Sequence, residues 1–234
     1  MCFVFFSTVV GYNFAKYFPT REDRRVKKPK SYKYIKALTV ISILGLLASC
    51  FFLNVETILV SIVLCAFNFF YAMPLPHKTL REIPFLKVFI IAFIWTAVTF
   101  GLPFIESATP FEYDVQLYFE ILERFCWILL LLIPFEIRDY NYDRQQLKTL
   151  ATVFGVQALK IIGAGLASIL IIMRIALLGA DAIAVYSLIY FSLISVIVGS
   201  KKRQPVYYSS FWVEGLPMLW LGLLFLAEGI NYSS

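Results

Sequence analysis

The stretch FCWILLLLIPFEIRDYNYDRQQLKTLATVFG, residues 125–155, passes from an apolar run to a charged one and then returns to apolar residues. Residues 125–135 carry no charge, whereas Glu136, Asp139 and Asp143 follow within two helical turns. A soluble domain has too little interior for many such runs, but a bilayer buries each run on its own. The stretch therefore predicts a helix that leaves a membrane and carries carboxylates at its exit.

The whole chain follows this pattern. Its 234 residues are 60% hydrophobic and 18% aromatic, with a mean hydropathy of +0.78. The apolar runs are continuous rather than alternating, which favours membrane helices over a barrel. We predict an all-helical, polytopic transmembrane bundle that forms a single membrane domain over residues 1–234. The predicted apolar segments are eight, at 2–18, 34–53, 56–73, 84–104, 118–135, 149–173, 181–199 and 211–228.

The positive charge is concentrated between these segments. Four stretches hold 18 of the 21 lysines and arginines: KYFPTREDRRVKKPKSYKYIK, HKTLREIPFLK, EIRDYNYDRQQLK and SKKRQP. Basic loops face the cytoplasm, so we predict a protein of the cytoplasmic membrane whose acidic stretch is cytoplasmic and whose carboxyl end is outside. The net charge of +6 is explained by this distribution, and it indicates membrane lipids rather than nucleic acid as partners.

The acidic residues after the apolar run have helical spacing. Glu136, Asp139 and Asp143 are three and four residues apart, which places them within about 60° of one helical face. Carboxylates this close repel one another unless a cation lies among them. Oxygen ligands of this kind suit Mg²⁺, and Arg138 and Arg144 are positioned to contact a phosphate. The alternative is a solvated helix end, stabilised by ordinary pairs along the helix.

The same stretch resembles a known motif. EIRDYNYDRQQLKTLATVFG is similar to the second aspartate-rich motif of the UbiA superfamily of intramembrane prenyltransferases, in which DxxDxxxD precedes a Lys/Thr-Leu stretch and a glycine. The segment YAMPLPHKTLREIPFLKVFIIAFIWTAVTFGLP resembles the middle helix pair of that family with its cytoplasmic loop. The matching positions are Glu136, Asp139 and Asp143, followed by Lys148, Thr149 and Gly155.

The resemblance implies a fold and an activity. The family has nine helices around a cavity, where two acidic motifs hold Mg²⁺ against a prenyl diphosphate whose isoprenoid passes to a lipophilic, often aromatic acceptor. It implies catalytic roles for Asp139, Asp143 and Lys160, and substrate contacts for Lys148. Only eight apolar segments are visible, and the chain is already apolar at Met1. We therefore expect one further helix upstream, and we expect the first visible helix to lack its beginning.

The first acidic motif of the family is not kept. It is expected in GYNFAKYFPTR, where Asn13 matches its asparagine but Phe14, Tyr17 and Arg21 occupy the acidic positions. One interpretation is a non-catalytic lipid-binding or scaffold protein on the same fold. The other is that Lys16 and Arg21 neutralise the diphosphate directly. A small transporter is a weaker alternative, because the chain lacks a paired pattern of broken apolar segments.

Several polar residues inside or beside apolar runs have two interpretations. Asn68 and Tyr71 either line the cavity, as a hydrogen-bond donor and a cation-stabilising ring, or lie at the membrane interface. Lys160 either reaches the diphosphate or extends toward the membrane surface. We interpret Arg174 as interfacial, and the glycines at 163–165 as sites of close helix packing.

Overall fold

The computed structural model describes residues 2–17, 32–72, 83, 85–107, 114–146, 148–178, 183–205 and 207–231. Within these residues the regular structure is entirely helical, as the continuous apolar runs predict. The chain divides into two compact units, Met1–Glu112 and Tyr113–Ser234, each with its own helix packing. The interpretation of residues 1–234 as a single membrane domain stays a prediction.

Several helices have the length and composition of membrane spans. Each of the eight predicted apolar segments contains a helix, although the number of membrane crossings remains a prediction. The predicted segment 118–135 is not among the candidate spans, because Glu120, Glu123 and Arg124 interrupt its apolar run. Among the residues that the structure describes, four helical stretches are long and apolar enough to cross a bilayer: Tyr32–Cys50, Leu86–Glu106, Val156–Leu177 and Tyr208–Leu226.

The first unit is built from the helices α1 (Cys2–Tyr17), α2 (Tyr32–Cys50), α3 (Val55–Ala72), α4 (Leu86–Thr96) and α5 (Leu102–Glu106). Helices α1 and α2 approach closely at Gly45, where an added Cβ would lie 2.6 Å from the Phe6 ring. Helix α5 is tied to the start of α3, because the Glu106 carboxylate accepts hydrogen bonds from Asn54 N at 3.1 Å and from Thr57 Oγ1 at 2.6 Å. These carboxylate bonds satisfy donors that a helix start would otherwise leave unpaired.

A π-helical segment, Ala97–Gly101, joins α4 to α5 without breaking the helical stretch. The predicted segment 84–104 is therefore one helix of changing pitch over residues 86–106. Pro103 lies in the first turn of α5 and has no amide hydrogen to continue the regular bonding pattern. The π-helical segment therefore matches the usual form of this conformation, a single turn inside a longer α-helix.

The second unit contains α6 (Val115–Gln146), α7 (Leu150–Phe154), α8 (Val156–Leu178), α9 (Ile183–Gly199), a π-helical segment (Tyr208–Val213) and α10 (Glu214–Asn231). Helices α6, α8 and α9 meet at Gly163, where an added Cβ would lie 2.6 Å from Ile133 and 3.4 Å from Ile197. The interpretation of this glycine as a packing site is confirmed. It is wrong for Gly165, because nothing lies within 4 Å of a Cβ added there.

The predicted segment 149–173 is broken, contrary to its continuous apolar pattern. Helix α7 begins with Thr149 and Thr152 in a reciprocal capping box and ends at Gly155. Gly155 has φ +80° and ψ 155°, a conformation that residues with a side chain rarely adopt. Helix α8 then starts at Val156, so the glycine separates a short helix from the long apolar one.

Candidate functional site

The acidic trio lies on α6, which continues from the apolar run into the charged stretch. Pro134 is inside the helix and removes one backbone donor there, but the helical conformation persists to Gln146. The Pro134 carbonyl oxygen accepts a hydrogen bond from Gln204 Nε2 at 3.3 Å. The helix end is therefore anchored to the segment that joins α9 to α10.

The three carboxylates share a face but differ in burial. Glu136 is 2% exposed and Asp143 is 3% exposed, whereas the Asp139 side chain is 33% exposed. Removing an ionised carboxylate from water costs several kcal/mol unless partners compensate for the lost hydration. A purely solvated helix end therefore describes Asp139 but not Glu136 or Asp143.

Arg138 is held between two elements at this end of α6. Its Nε and Nη2 donate to the two oxygens of Asp139, at 2.7 and 3.1 Å. Its Nη1 donates to Ser209 Oγ at 3.3 Å, in the π-helical segment before α10. Both Asp139 oxygens are thus bound to a guanidinium, which compensates the charge of this one member of the trio.

Lys160 makes a contact that neither interpretation included, and its predicted role toward a diphosphate stays a prediction. Its ammonium donates to the carbonyl oxygen of Val198 at 2.7 Å, in the last turn of α9. The last carbonyls of a helix lack partners within the helix and carry partial negative charge, so a lysine is stabilising there. Lys160 therefore joins α8 to the end of α9, close to the segment that anchors Pro134.

Other basic side chains surround the acidic end of α6. Lys148 is exposed directly before the start of α7. The Lys202 ammonium lies 3.6 Å from the centroid of the Tyr140 ring, one residue after Asp139. Charges of both signs therefore stand at the same end of the second unit, as the predicted phosphate contacts require.

The carboxylates at this end of α6 fit Mg²⁺ only if phosphate oxygens and water complete the coordination of the ion. In the part of the chain that the structure describes, no three His, Cys, Asp or Glu side chains are grouped as a metal cage. Glu136 and Asp143 lie seven residues apart, about 10.5 Å along the axis, which is too far for one ion. Asp139 is one turn from each, and two carboxylates suffice for an ion that keeps waters and shares phosphate oxygens.

The predicted substrate contacts of the first unit are engaged with neighbouring helices. Asn13 Nδ2 donates to Thr39 Oγ1 at 2.8 Å and so connects α1 with α2. The Asn68 amide lies against Gly11, since an added Cβ would be 3.1 Å from its nitrogen. Both asparagines belong to the first unit, whereas the acidic trio belongs to the second.

Four predicted contacts fall outside what the structure describes. Arg21 lies outside the described residues altogether. Lys16, Tyr71 and Arg144 lie in described helices, but their side chains are outside the described part. The proposed substitution of Lys16 and Arg21 for the first acidic motif stays a hypothesis.

A buried ionic group in the second unit was not predicted. Arg174 forms an ion pair with Glu123 of α6 and donates to Tyr186 Oη at 2.7 Å. The Tyr190 hydroxyl donates to the other Glu123 oxygen at 2.7 Å. The interpretation of Arg174 as merely interfacial is therefore wrong. The signal for this group was Glu123 itself, a charge within a predicted apolar segment, where such residues are rare and usually paired.

Aromatic side chains extend this group along α6. The Trp127 and Trp220 rings lie 4.9 Å apart, and the Arg124 guanidinium is 4.8 Å from the Trp220 ring centroid. Helix α6 thus carries one charged group near its start and another near its end, with an apolar centre between them.

Comparison with protein-family models, with curated proteins and with solved structures found no match to this chain.

Proposed function

We propose that this chain is a UbiA-like membrane prenyltransferase, which moves an isoprenoid from a prenyl diphosphate to a lipophilic acceptor such as an aromatic ring. The observation that carries the proposal is the burial of Glu136 and Asp143 on one face of α6, directly after an apolar run. Buried carboxylates beside several cations suit a ligand that brings both a metal ion and phosphate groups. The resemblance of residues 136–155 to an acidic prenyltransferase motif supports the same function.

In this proposal Mg²⁺ on the diphosphate would be held by Asp139 together with Asp143 or Glu136. The ion would supply Lewis acidity to stabilise the negative charge that develops on the leaving diphosphate. Arg138 exchanges Asp139 for a phosphate oxygen, and Lys148 and Lys160 add positive charge nearby. The arginine fork matches a phosphate group as well as it matches a carboxylate.

The reaction itself needs a dry and apolar site. The bond from the first isoprenoid carbon to the diphosphate oxygen breaks, and its electron pair stays on the diphosphate. The acceptor attacks the allylic cation and loses a proton to the released diphosphate. Excluding water protects the cation from hydrolysis, and aromatic faces stabilise it.

A second function is favoured by a specific observation. Both oxygens of Asp139 are bound by Arg138, and no carboxylate occupies the first-motif positions at Phe14, Tyr17 and Arg21. A chain with this arrangement could bind a phosphorylated lipid without cleaving it. The alternative is therefore a non-catalytic lipid-binding or scaffold protein on the same helical fold.

Diphosphate release from labelled substrates tests the two functions. The full chain in membranes is incubated with geranyl, farnesyl and longer prenyl diphosphates, with Mg²⁺ or with EDTA. A transferase releases diphosphate only with Mg²⁺. The variant Asp143→Asn should lower the rate about a hundredfold, the scale of losing one electrostatic contact to the transition state.

The matched control is Glu56→Gln, which removes an exposed carboxylate from the first turn of α3. This variant should keep the wild-type rate, because Glu56 lies in the first unit and has no part in the proposed site. Absence of release from the wild type at every chain length would refute the transferase and favour the lipid-binding alternative.

A further inference from the structure

The segment between α9 and the π-helical segment holds three consecutive cations, Lys201, Lys202 and Arg203, all exposed. The Lys201 amide donates to Gln204 Oε1 at 3.1 Å, and Gln204 Nε2 donates to the Pro134 carbonyl oxygen. These two bonds fix the segment, called here the basic loop (Ser200–Pro205), against α6 at Pro134, two residues before Glu136.

Both ends of the basic loop are also fixed. Ser200 Oγ donates to the Val196 carbonyl oxygen at 2.7 Å, and the Tyr208 hydroxyl donates to the same oxygen at 2.6 Å. An added Cβ on Gly199 would lie 2.7 Å from that hydroxyl, so the tyrosine crosses directly over the end of α9. The loop is therefore attached to the end of α9 and to α6, and the backbone that carries its cations is held in place.

Lys202 is placed over the carboxylate face of α6. Its ammonium lies 3.6 Å from the Tyr140 ring centroid. Tyr140 is four residues after Glu136 and three before Asp143, which makes it the neighbour of both carboxylates on the helix surface. The exposed Lys202 ammonium therefore lies on a ring that neighbours both buried carboxylates along the helix surface.

Lys201 lies at the same end of α9 as a second lysine. The Lys160 ammonium donates to the Val198 carbonyl oxygen at 2.7 Å, three residues before Lys201. The Lys201 backbone is held by Gln204, so this lysine starts from a fixed point of the loop. Like charges at one helix end repel each other, and an anion that binds between them relieves the repulsion.

The orientation of the protein explains why basic residues occur in this loop but does not explain their positions. Cytoplasmic loops are enriched in lysine and arginine, and charge in solvent would serve that purpose equally well. Here Lys202 contacts Tyr140 of α6, and Lys201 follows the helix end that binds the Lys160 ammonium. Arg203 makes no ion pair, hydrogen bond or ring contact with the described residues.

We infer that Lys201 and Lys202 of the basic loop, together with Lys160, form a binding site for a diphosphate group beside the acidic face of α6. Lysines bind phosphate oxygens as compact charges and need no metal to do so. The inference deepens the proposed function and rests on it for the identity of the ligand as a prenyl diphosphate. The site itself requires only an anion with phosphate oxygens.

Calorimetric titration with inorganic pyrophosphate tests the inference. The full chain in neutral-lipid nanodiscs is titrated in EDTA, so that only the protein's own cations bind the anion. The double variant Lys201→Gln/Lys202→Gln should weaken binding at least about tenfold, which corresponds to ~1.4 kcal/mol. Arg203→Gln removes the same charge from the same loop and should change the affinity less than about twofold.

Three outcomes would overturn the inference. The first is a wild-type protein that binds no pyrophosphate. The second is an equal loss in Arg203→Gln and in the double variant, which would indicate general surface charge. The third concerns lipid: in nanodiscs that contain phosphatidylglycerol, the double variant loses bound phosphatidylglycerol while pyrophosphate binding is unchanged. That result would assign the lysines to a lipid headgroup.

The inference and the proposed function fail in different ways. Pyrophosphate binding that the double variant loses, in a wild type that releases no diphosphate from any prenyl substrate, would support the site and refute the transferase. If the wild type is active, the double variant should raise the KM for the prenyl diphosphate more than it lowers kcat. Lys202→Arg keeps the charge and should retain most of the affinity, which separates a lost cation from a misfolded loop.

Discussion

Glu123 and Arg174 carry opposite charges inside the second unit, where their side chains are 3% and 12% exposed. Neither charge has enough water to solvate it, so each depends on the other and on Tyr186 and Tyr190. Replacing one member of a buried pair leaves the remaining charge uncompensated, which is worse than replacing both. The pair therefore holds α6 against α8, because separating the two helices would leave each buried charge without its partner.

We expect Glu123→Gln to destabilise the protein by about 3–5 kcal/mol, because Arg174 then stays buried without a counter-charge. The measurement is the midpoint of thermal unfolding in detergent. Asp139→Asn is the matched control, since it breaks the Arg138–Asp139 pair on the same helix, whose side chains are 40% and 33% exposed. An exposed pair contributes about 0–1 kcal/mol. Equal midpoints for both variants would contradict the structural role of the buried pair.

For single residues, the sequence predicts which side chains come together when they are close along the chain, but it does not predict contacts between residues that are far apart in the chain. The spacing of Glu136, Asp139 and Asp143 places them on one helical face, because helix geometry alone determines that relation. The partner of Glu123 is 51 residues away, and no periodicity connects it with Arg174. The position of Lys202 over Tyr140 likewise depends on how the basic loop is folded.

The helices themselves were predictable because each apolar run must satisfy its backbone bonds internally in lipid. The predicted segments 34–53 and 181–199 correspond to helices Tyr32–Cys50 and Ile183–Gly199. The hydropathy of a segment indicates whether it contacts lipid, but it does not indicate where a helix ends or is interrupted. It therefore gave no sign that the helix of predicted segment 118–135 continues to Gln146, and none of the break at Gly155.

Helix packing in the second unit gives a prediction on two glycines of α8. Gly163→Leu should lower stability by about 1–3 kcal/mol, because the side chain would displace Ile133 and Ile197 from a filled interface. Gly165→Leu adds the same side chain two residues away, where nothing lies within 4 Å of the new Cβ, and should not destabilise. The unfolding midpoints of the two variants are compared in one detergent. A midpoint for Gly165→Leu as low as that for Gly163→Leu would contradict the packing.

At the scale of the whole molecule, the distribution of lysine and arginine predicts which loops face the cytoplasm. The packing of helices within either unit does not provide this information. The basic loop and the acidic end of α6 belong to one side of the second unit, because Gln204 donates to Pro134. The orientation rule predicts that this side is cytoplasmic. A prenyl diphosphate, whose charged end cannot enter the hydrocarbon, would then reach the site from the cytoplasm.

Labelling of single cysteines tests this orientation. In a background without the four native cysteines, Ser107→Cys and Arg203→Cys introduce exposed thiols after α5 and in the basic loop. We expect a membrane-impermeant maleimide to label Ser107→Cys in intact cells and Arg203→Cys only in opened cells. Labelling of both in detergent is the control for reactivity. The reverse pattern would place the acidic face of α6 outside the cell. A cytoplasmic prenyl diphosphate would then not reach Lys201 and Lys202, so the proposed function depends on this result, whereas the binding of pyrophosphate to these lysines does not.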